Sequence, residues 1–256
     1  MNKKDIKTFD KINILGVNVC VTNLQETLIN IIGNINELKG KYICVSNVHT
    51  IVMSYDDEHY KNIQNSSFMV LPDGKPLSLV SRLRGYSNAE RVTGPDLMDQ
   101  IFNIQGSNTY KHFFYGSTNE TLDALKNELK ASYPPLEISG MYSPPFRELT
   151  REEDKEIIEK INKLNPDFVW VGLGAPKQEL WMYNHLDKIN GLMIGVGAGF
   201  DYFAKNIKRA PRWMQKFSLE WLYRLIQDPK RLWKRYLVYN TRFILLVIKE
   251  IFSQKK

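Results

Sequence analysis

The stretch DFVWVGLGAPKQE, residues 167–179, contains the change from strand to helix on which the fold depends. Residues 167–171 are a mostly apolar run, which predicts a strand buried within a sheet. Two glycines follow, and the residues from Lys177 onward predict a helix that ends near Ile189. A second apolar run, Leu192 to Val196, predicts another strand directly after this helix. A strand, a helix and a strand in this order indicate parallel pairing.

The same alternation extends toward the N-terminus. Further strands are predicted for Asn13 to Val21 with a bend at Gly16, Lys41 to Ser46, Phe68 to Leu71, His112 to Tyr115, and Glu137 to Met141. Helices are predicted for Thr22 to Leu38, His49 to Gln64, Lys75 to Leu83, Pro95 to Ile104, Asn119 to Ala131, and Arg151 to Leu164. The pattern therefore predicts a doubly wound α/β fold with a mostly parallel sheet, followed by an all-helical tail that begins near Ala210.

Length and composition limit the organisation of the chain. Its 256 residues, 43% of them hydrophobic, suit one domain with an appendage, which we place at residues 1–209 and 210–256. The two cysteines, Cys20 and Cys44, have no CxxC spacing and are predicted to be reduced core residues. No apolar signal core follows the polar start of the chain. We therefore expect a cytoplasmic protein.

The positive charge is concentrated in the tail. Residues 201–256 contain 14 Lys and Arg against 4 Asp and Glu, a net charge of +10, whereas residues 1–200 carry −3 (21 against 24). Wound as one helix, Lys230 to Phe252 places a basic stripe within about 40°, at Arg231, Arg235, Arg242 and Lys249. An apolar arc lies opposite, at Leu232, Trp233, Tyr236, Leu237, Phe243, Ile244, Val247 and Ile248.

Three interpretations of this tail remain open. The helix could lie on an anionic membrane, bind nucleic-acid phosphates, or pack on its own domain with a solvated basic side. The segment from Tyr236 to Phe252 is shorter than the ~20 residues that a membrane span needs, and polar residues interrupt it. The pattern thus predicts a helix that lies on a membrane in preference to one that spans it.

Ligands of open parallel sheets bind beyond the carboxyl ends of the strands. Two glycine turns are predicted there, with Gly172 and Gly174 in the first and Gly195 and Gly197 in the second. Such turns let backbone N–H groups approach a phosphate or a ribose, although tight turns also use glycine for steric reasons. The polar side chains that follow the first turn suit a uracil or ribose edge, or reflect an ordinary helix start; they are Lys177, Gln178 and Glu179.

Other strand ends contribute single polar residues with two interpretations each. Asp73, in Pro-Asp-Gly, is a general base for a sugar hydroxyl or part of a turn. Asn47 contacts a substrate or caps a helix, Asp201 holds a ligand or caps the next segment, and Arg91 binds an anion or is solvated. No metal-binding motif is present in the sequence, so any phosphate chemistry is predicted to be metal-independent, with Lys and Arg balancing the charge.

Six ordered blocks resemble one protein family closely. They are Pro72-Asp73-Gly74-x-Pro76, Arg91-x-x-Gly94-x-Asp96, Gly172-x-Gly174-x-Pro176-Lys177-Gln178-Glu179-x-Trp181, Gly195-Val196-Gly197-Ala198-x-Phe200-Asp201, Arg209-Ala210-Pro211-x-Trp213 and Glu220-Trp221-x-x-Arg224-Leu225. This series is similar to the WecG/TagA/CpsF family, glycosyltransferase family 26. Its members include the N-acetylmannosaminyltransferases of wall teichoic acid and of enterobacterial common antigen.

The resemblance implies a Rossmann-like fold with a C-terminal appendage that meets the cytoplasmic face of the cell membrane. It also implies inverting transfer from a UDP-sugar to a saccharide on a polyprenyl diphosphate, in cell-surface polysaccharide or teichoic acid synthesis. Asp73 would be the catalytic base, and Asn47 would contact a substrate sugar. The two glycine loops, with Gln178, would hold UDP. The diphosphate would be neutralised by arginines of the appendage, here Arg224, Arg231 and Arg235.

One departure from the family concerns the second strand end, where Val45-Ser46-Asn47 replaces the common Thr-x-Asn. A lost hydroxyl at this position puts the identity of the donor sugar in question. Two other classes stay open. A Rossmann oxidoreductase needs an acidic ribose-binding residue about 20 residues beyond its glycine loop, and Asp187 and Asn190 are poorly placed for it. For a nucleic-acid-binding module, the tail is predicted to give no useful sequence specificity. Homo-oligomerisation is left open.

Overall fold

The computed structural model describes residues 8–104, 110–211, 213–214 and 219–253, without the side chains of Arg231 and Arg235. Its main sheet contains the strands β3 (Tyr42–Ser46), β4 (Met69–Pro72), β5 (Lys111–Gly116), β6 (Glu137–Tyr142), β7 (Phe168–Gly172) and β8 (Leu192–Gly195). The strands lie in the order β4-β3-β8-β7-β5-β6, and every neighbouring pair is parallel. The predicted parallel α/β sheet is therefore confirmed.

The first predicted strand is wrong, because this segment folds as a hairpin. Strands β1 (Lys11–Ile14) and β2 (Val17–Cys20) pair antiparallel and form a two-stranded sheet of their own. Leu15 and Gly16 connect them with φ values of 51° and 91°. A two-residue turn with both φ values positive matches the twist of a hairpin, and glycine at its second position lowers the steric cost. The glycine read as a bend therefore reverses the chain.

The helices before the tail are α1 (Leu24–Gly33), α2 (Val48–Asp56), α3 (Glu58–Ser66), α4 (Lys75–Leu83), α5 (Gly94–Phe102), α6 (Asn119–Ser132), α7 (Arg151–Leu164), α8 (Lys177–Asn184) and α9 (Gly199–Phe203). The helix predicted from His49 to Gln64 is in fact two, because Asp57 is extended (φ −126°, ψ 108°) and its side chain caps α3. The first helix is capped by Asn23, not by Thr22, and ends before Leu38.

The sheet separates two buried apolar layers, as a doubly wound fold requires. Phe114 and Trp170 belong to one layer, and their strand neighbours Tyr115 and Val171 belong to the other. All four side chains are buried. Since successive side chains of a strand point to opposite faces, the central strands are apolar on both sides.

The tail is helical, as predicted, and the helix predicted from Lys230 to Phe252 is an unbroken run that contains a π-helical segment. It consists of α10 (Glu220–Gln227), α11 (Pro229–Trp233), a π-helical segment (Lys234–Val238) and α12 (Tyr239–Ser253). A π turn contains more residues than an α turn. The side chains after it are therefore rotated from the positions that a continuous helix predicts.

The predicted apolar arc of the tail is divided between the core and the surface. Phe243 and Val247 are buried with the β1–β2 hairpin, α2 and α4, whereas Ile244 and Ile248 are exposed. The interpretation of a helix that packs on its own domain is thus correct for one face of α12. The boundary at residues 209 and 210 stays a prediction.

Ion pairs fix α12 to the body of the protein. Arg242 pairs with Asp56 at the end of α2 through both guanidinium nitrogens, at 2.5 Å each. Glu250 accepts from Arg84, which follows α4, at 2.6 Å. The same Arg84 donates to the carbonyl of Asn13 in β1. Part of the predicted basic stripe is therefore neutralised by the body.

Candidate active site

Two candidate residues leave neighbouring strands at the same edge of the sheet. Ser46 and Pro72 are paired across β3 and β4, so Asn47 and Asp73 follow side by side. The backbone N–H of Asp73 donates to the carbonyl of Ser46 at 2.7 Å. Since the sheet is parallel, this edge also carries the carboxyl ends of β7 and β8, where the two glycine turns lie. The structure therefore brings Asn47, Asp73 and both glycine turns to one side of the sheet.

Asn47 is the N-cap of α2. Its Oδ1 accepts from the backbone N–H of His49 at 3.0 Å and of Thr50 at 3.4 Å, and Thr50 completes a capping box. The capping interpretation is thus confirmed, and the amide Nδ2 takes no part in this cap. The preceding Val45, where the family commonly has threonine, packs in the hydrophobic core.

Gln178 joins the two glycine turns. Its Oε1 accepts from the backbone N–H of Gly174 at 3.2 Å and of Gly197 at 3.0 Å. Both glycines have positive φ values, 75° and 52°, which a side chain would strain. The arrangement fixes the spacing of the two turns through one buried amide, so Gln178 supports the turns from inside the protein.

Gly172 and Gly195 are required by close packing. A Cβ on Gly172 would lie 2.7 Å from the Phe200 ring, and one on Gly195 would lie 2.8 Å from Met182 and 3.0 Å from Gln178 Nε2. Real Cβ contacts are not this short, so any larger residue would displace these side chains. Close packing alone therefore explains why both positions are glycine.

Lys177 and Glu179 have opposite environments although they flank the same amide. Lys177 is exposed at the first position of α8. Glu179 is completely buried, and its Oε1 accepts from Gln178 Nε2 at 2.8 Å. The expectation that Glu179 offers an edge to a ligand is corrected here, because its carboxylate contacts protein groups in the interior.

Arg224 brings a cation of the tail to Asp73. Its guanidinium carbon lies 5.5 Å from the centroid of the Tyr202 ring, within cation–π range. Burial lowers the pKa of Arg224, but Tyr202, Tyr236, Asp73 and Glu220 raise it, and the net direction is upward. Arg224 therefore stays charged beside Asp73.

The same cluster acts on Tyr202. Burial raises the pKa of Tyr202 to about 12; Arg224 opposes this shift, and the charges of Glu220 and Asp73 add to it. The phenol is therefore neutral at physiological pH and can donate a hydrogen bond. Asp73, Arg224 and Tyr202 thus form a polar cluster at the carboxyl edge of the sheet, where the tail meets the body.

An ion-pair network holds the start of α10 to α5. Glu220 lies 3.4 Å from Arg91 Nη1 and 3.6 Å from Arg209 Nε, and Arg209 Nη2 lies 2.5 Å from Asp96. Asp96 in turn accepts from the Thr93 hydroxyl at 2.7 Å. Arg91, predicted to bind an anion or to be solvated, is therefore paired with a carboxylate of the tail. The network positions the helix that carries Arg224.

The remaining candidates do not contribute observed contacts to the glycine turns among the described residues. Asp201 lies in α9, where its Oδ1 accepts from Asn206 Nδ2 at 3.3 Å, so it stabilises the following turn. The side chains of Arg231 and Arg235 lie outside the described residues. Asp187, the acidic residue weighed for an oxidoreductase, pairs with Lys41 at 2.9 Å. Since Lys41 precedes β3, this pair lies at the opposite edge of the sheet, away from the glycine turns.

Three residues of this region received no role from the sequence. Glu220 and Arg209 stand in recognised blocks, but their partners lie far away along the chain. Tyr202 directly follows Asp201, and its contact with Arg224 depends on how the tail folds back. Only their positions in or next to the ordered blocks indicated in the sequence that they belong to the site.

Two sequence-based expectations concern metals and membranes. Within the described ranges, no group of three or more His, Cys, Asp and Glu could hold a metal ion. Metal independence remains a prediction. No helix in the described part of the chain is long and apolar enough to cross a membrane.

Comparison with known proteins gives a consistent result. The model of the Glycosyl transferase WecG/TagA/CpsF family matches residues 12–256. An N-acetylglucosaminyldiphosphoundecaprenol N-acetyl-beta-D-mannosaminyltransferase of Bacillus subtilis (strain 168) is 32% identical over 223 residues, 86% of this chain and 84% of the relative. Proteins of the same name are 32% identical over 205 residues in Bacillus spizizenii (79% and 77%) and 30% identical over 225 residues in Staphylococcus aureus strain MW2 (87% of both).

Proposed function

The chain belongs to the WecG/TagA/CpsF family of glycosyltransferases, and from this premise we propose that it transfers N-acetylmannosamine from a UDP-sugar to N-acetylglucosamine on a polyprenyl diphosphate. The names of the relatives supply the sugar and the acceptor. The observation that carries the proposal is that Arg224, held over the Tyr202 ring, lies within the electrostatic range of Asp73, which follows the carboxyl end of β4. A base and a cation in one site are what transfer from a sugar diphosphate needs.

The proposed reaction is a single displacement. The acceptor hydroxyl attacks the anomeric carbon of the donor, and its proton passes to the Asp73 carboxylate. The bond from the anomeric carbon to the phosphate oxygen breaks, and UDP leaves with the electron pair. The new bond forms on the face opposite the leaving group, so the configuration inverts. A β-linked product, as in the names of the relatives, then requires an α-linked donor.

Charge neutralisation falls to the tail in this proposal. The leaving diphosphate gains negative charge as the bond breaks, and a fixed cation stabilises that charge. Arg224 is suited to this because no carboxylate within the described ranges pairs with it, whereas Arg91 and Arg209 are held by Glu220. Arg231 and Arg235 are proposed to add to it. The nucleotide is proposed to lie against the glycine turns that Gln178 joins.

We propose a peripheral position on the cytoplasmic face of the membrane, and the exposed apolar side chains support contact with a membrane. Of the sixteen large apolar residues that are exposed in the described ranges, ten belong to the tail. They are Trp213, Trp221, Ile226, Trp233, Leu237, Val238, Ile244, Leu245, Ile248 and Phe252. An apolar surface with neighbouring Lys and Arg suits an anionic membrane, where a polyprenyl acceptor would be found.

Incubation with a panel of UDP-sugars tests the proposal. The acceptor would be a short-chain polyprenyl-diphosphate N-acetylglucosamine, with EDTA present throughout. We expect UDP release and a disaccharide product with UDP-N-acetylmannosamine, and undiminished activity in the chelator. If no donor in the panel yields product, the transferase proposal is contradicted. Activity that appears only after Mg²⁺ or Mn²⁺ is restored would contradict charge neutralisation by arginine alone.

A further inference from the structure

A chain of buried polar side chains runs through the interior beneath the candidate site. Its members are Ser46, Tyr60, Gln64, Gln178 and Glu179, each at most 4% exposed. They come from β3, α3 and α8, which are distant in sequence. Buried polar groups that bond to one another in this way fix a single arrangement, because any change leaves one of them unsatisfied.

The first arm of this chain starts at the glycine turns. The backbone N–H groups of Gly174 and Gly197 can only donate, so the atom of Gln178 that they contact must be its carbonyl oxygen. The amide NH₂ of Gln178 then faces Glu179, whose Oε1 lies 2.8 Å away. The backbone of the turns therefore dictates that residue 179 presents an acceptor at this point.

The second arm starts at the end of β3, next to Asn47. Ser46 Oγ donates to Gln64 Oε1 at 2.6 Å, and Gln64 Nε2 donates to the Tyr60 hydroxyl at 3.0 Å. The Tyr60 hydroxyl lies close enough to Glu179 for the two side chains to interact. Burial, followed by the charge of Glu179, raises the pKa of Tyr60, so this phenol keeps its proton. Both arms therefore lead to the Glu179 side chain.

We propose that Glu179 is a positioning residue that sets the orientation of the Gln178 amide and thereby the separation of the two glycine turns. A carboxylate can only accept, so its Oε1 binds the Gln178 NH₂ and fixes which way the amide points. It acts through Gln178 and not by contact with a ligand, because it is 0% exposed. Its effect on catalysis rests on the proposed function, in which these turns hold the UDP portion of the donor.

The direct test uses the full-length protein without substrate. Glu179→Gln keeps the shape of the side chain but replaces one acceptor oxygen with an NH₂ donor. The buried network then has more hydrogen-bond donors than acceptors. Amide hydrogen exchange at Gly174 and Gly197, followed by NMR, is expected to accelerate on the order of tenfold. The N–H of Val196, which donates to the Val171 carbonyl at 2.9 Å, is the internal reference and should be unchanged.

A reciprocal exchange of the two side chains separates positioning from general destabilisation. In the double variant Gln178→Glu with Glu179→Gln, the new carboxylate accepts from both glycines and from the new amide. The bonds to both glycines and the bond between residues 178 and 179 are thus replaced, and exchange at both glycines should return to within about threefold of the wild-type rate.

Two outcomes would overturn the proposal. One is unchanged exchange at Gly174 and Gly197 in Glu179→Gln. The other is equal acceleration at these glycines and at Val196, with no recovery in the double variant, which would indicate only a destabilised fold. Because no substrate is present, neither outcome depends on the transferase activity.

A kinetic measurement then connects the network to the reaction. In Glu179→Gln, KM for the UDP-sugar and Kd for UDP are expected to rise on the order of tenfold, with kcat within about threefold of wild type. A fall in kcat with unchanged KM would contradict an effect through the nucleotide site. If the wild-type protein did not bind UDP at all, the proposed function would fail, and the exchange measurement alone would decide the role of Glu179.

Discussion

Replacing Arg224 with glutamine should slow transfer strongly without unfolding the protein. The guanidinium lies over the Tyr202 ring and beside Asp73, and the charges around it keep it protonated. Glutamine keeps an N–H donor on a shorter side chain and removes the positive charge. We therefore expect the loss to fall on the step in which the diphosphate leaves.

The size of the effect follows from these contacts. Two carboxylates act on Arg224. Glu220 is already engaged by Arg91 and Arg209, so the charge of Arg224 is shared between Asp73 and a ligand. A guanidinium can make two charge-assisted bonds to a phosphate, each contributing about 1.5 kcal/mol or more. The loss of about 3 kcal/mol corresponds to a fall in kcat/KM on the order of 10²-fold. Lysine keeps the charge but not the paired geometry, so Arg224→Lys should fall in between.

Steady-state release of UDP is the assay, with a urea melt to show that each variant is folded. Tyr202→Phe is the matched control, because it keeps the aromatic face under the guanidinium and removes only the hydroxyl. We expect the activity of this control to stay within about tenfold of wild type, because the substitution removes at most one hydrogen bond. If Arg224→Gln had kcat/KM within about threefold of wild type, the assignment of this arginine to the leaving diphosphate would be refuted.

Three further predictions concern stability and the membrane. Burial lowers the pKa of His112 to about 3; since the unfolded chain takes up this proton below pH ~6.5 and the folded protein does not, acidification from about pH 7.5 to pH 5 should cost roughly 2 kcal/mol of unfolding free energy. Urea melts at the two pH values should show this loss of unfolding free energy in the wild type but not in His112→Asn. An equal loss in both proteins would contradict the prediction. Phe243→Ala should lower the unfolding free energy by about 3–5 kcal/mol, and a loss under about 1 kcal/mol in urea melts would mean that α12 does not share the core. Ile244→Ser combined with Ile248→Ser should weaken binding to anionic vesicles on the order of tenfold or more in a sedimentation assay, while Leu180→Ser, an exposed apolar position on the body, should not.

The central fold was predictable because its signals are local. The buried run before Gly172 and the start of the helix after it are encoded within a short stretch, although this helix ends at Asn184 and not near Ile189. The bounds of Lys75–Leu83 and Arg151–Leu164 agree with the prediction. The prediction is wrong where one or two residues decide the path of the chain. Leu15 and Gly16 reverse it, and an extended Asp57 divides a helix that periodicity alone would continue.

The candidate site was predictable to the level of its loops but not of its contacts. The rule that parallel strands bind ligands at their carboxyl ends brought Asp73 and the glycine turns together. It could not show that Glu179 is buried, since helix starts are usually polar and exposed. Nor could it show which arginine of the tail reaches Asp73, because that depends on how α10 is held to α5 by Glu220. Such contacts are tertiary and leave no periodic pattern.

Asp73→Asn, measured for both turnover and UDP binding, tests the central claim most directly. Asparagine has the same shape but cannot take a proton from the acceptor hydroxyl. Transfer should therefore fall on the order of 10²–10⁴-fold, the usual contribution of a general base. Titration with UDP, followed by calorimetry, should give a Kd within about threefold of wild type, because the loss of a nearby negative charge does not weaken the binding of an anion. Full transfer activity in this variant, or loss of UDP binding along with activity, would contradict the role of Asp73 as the base.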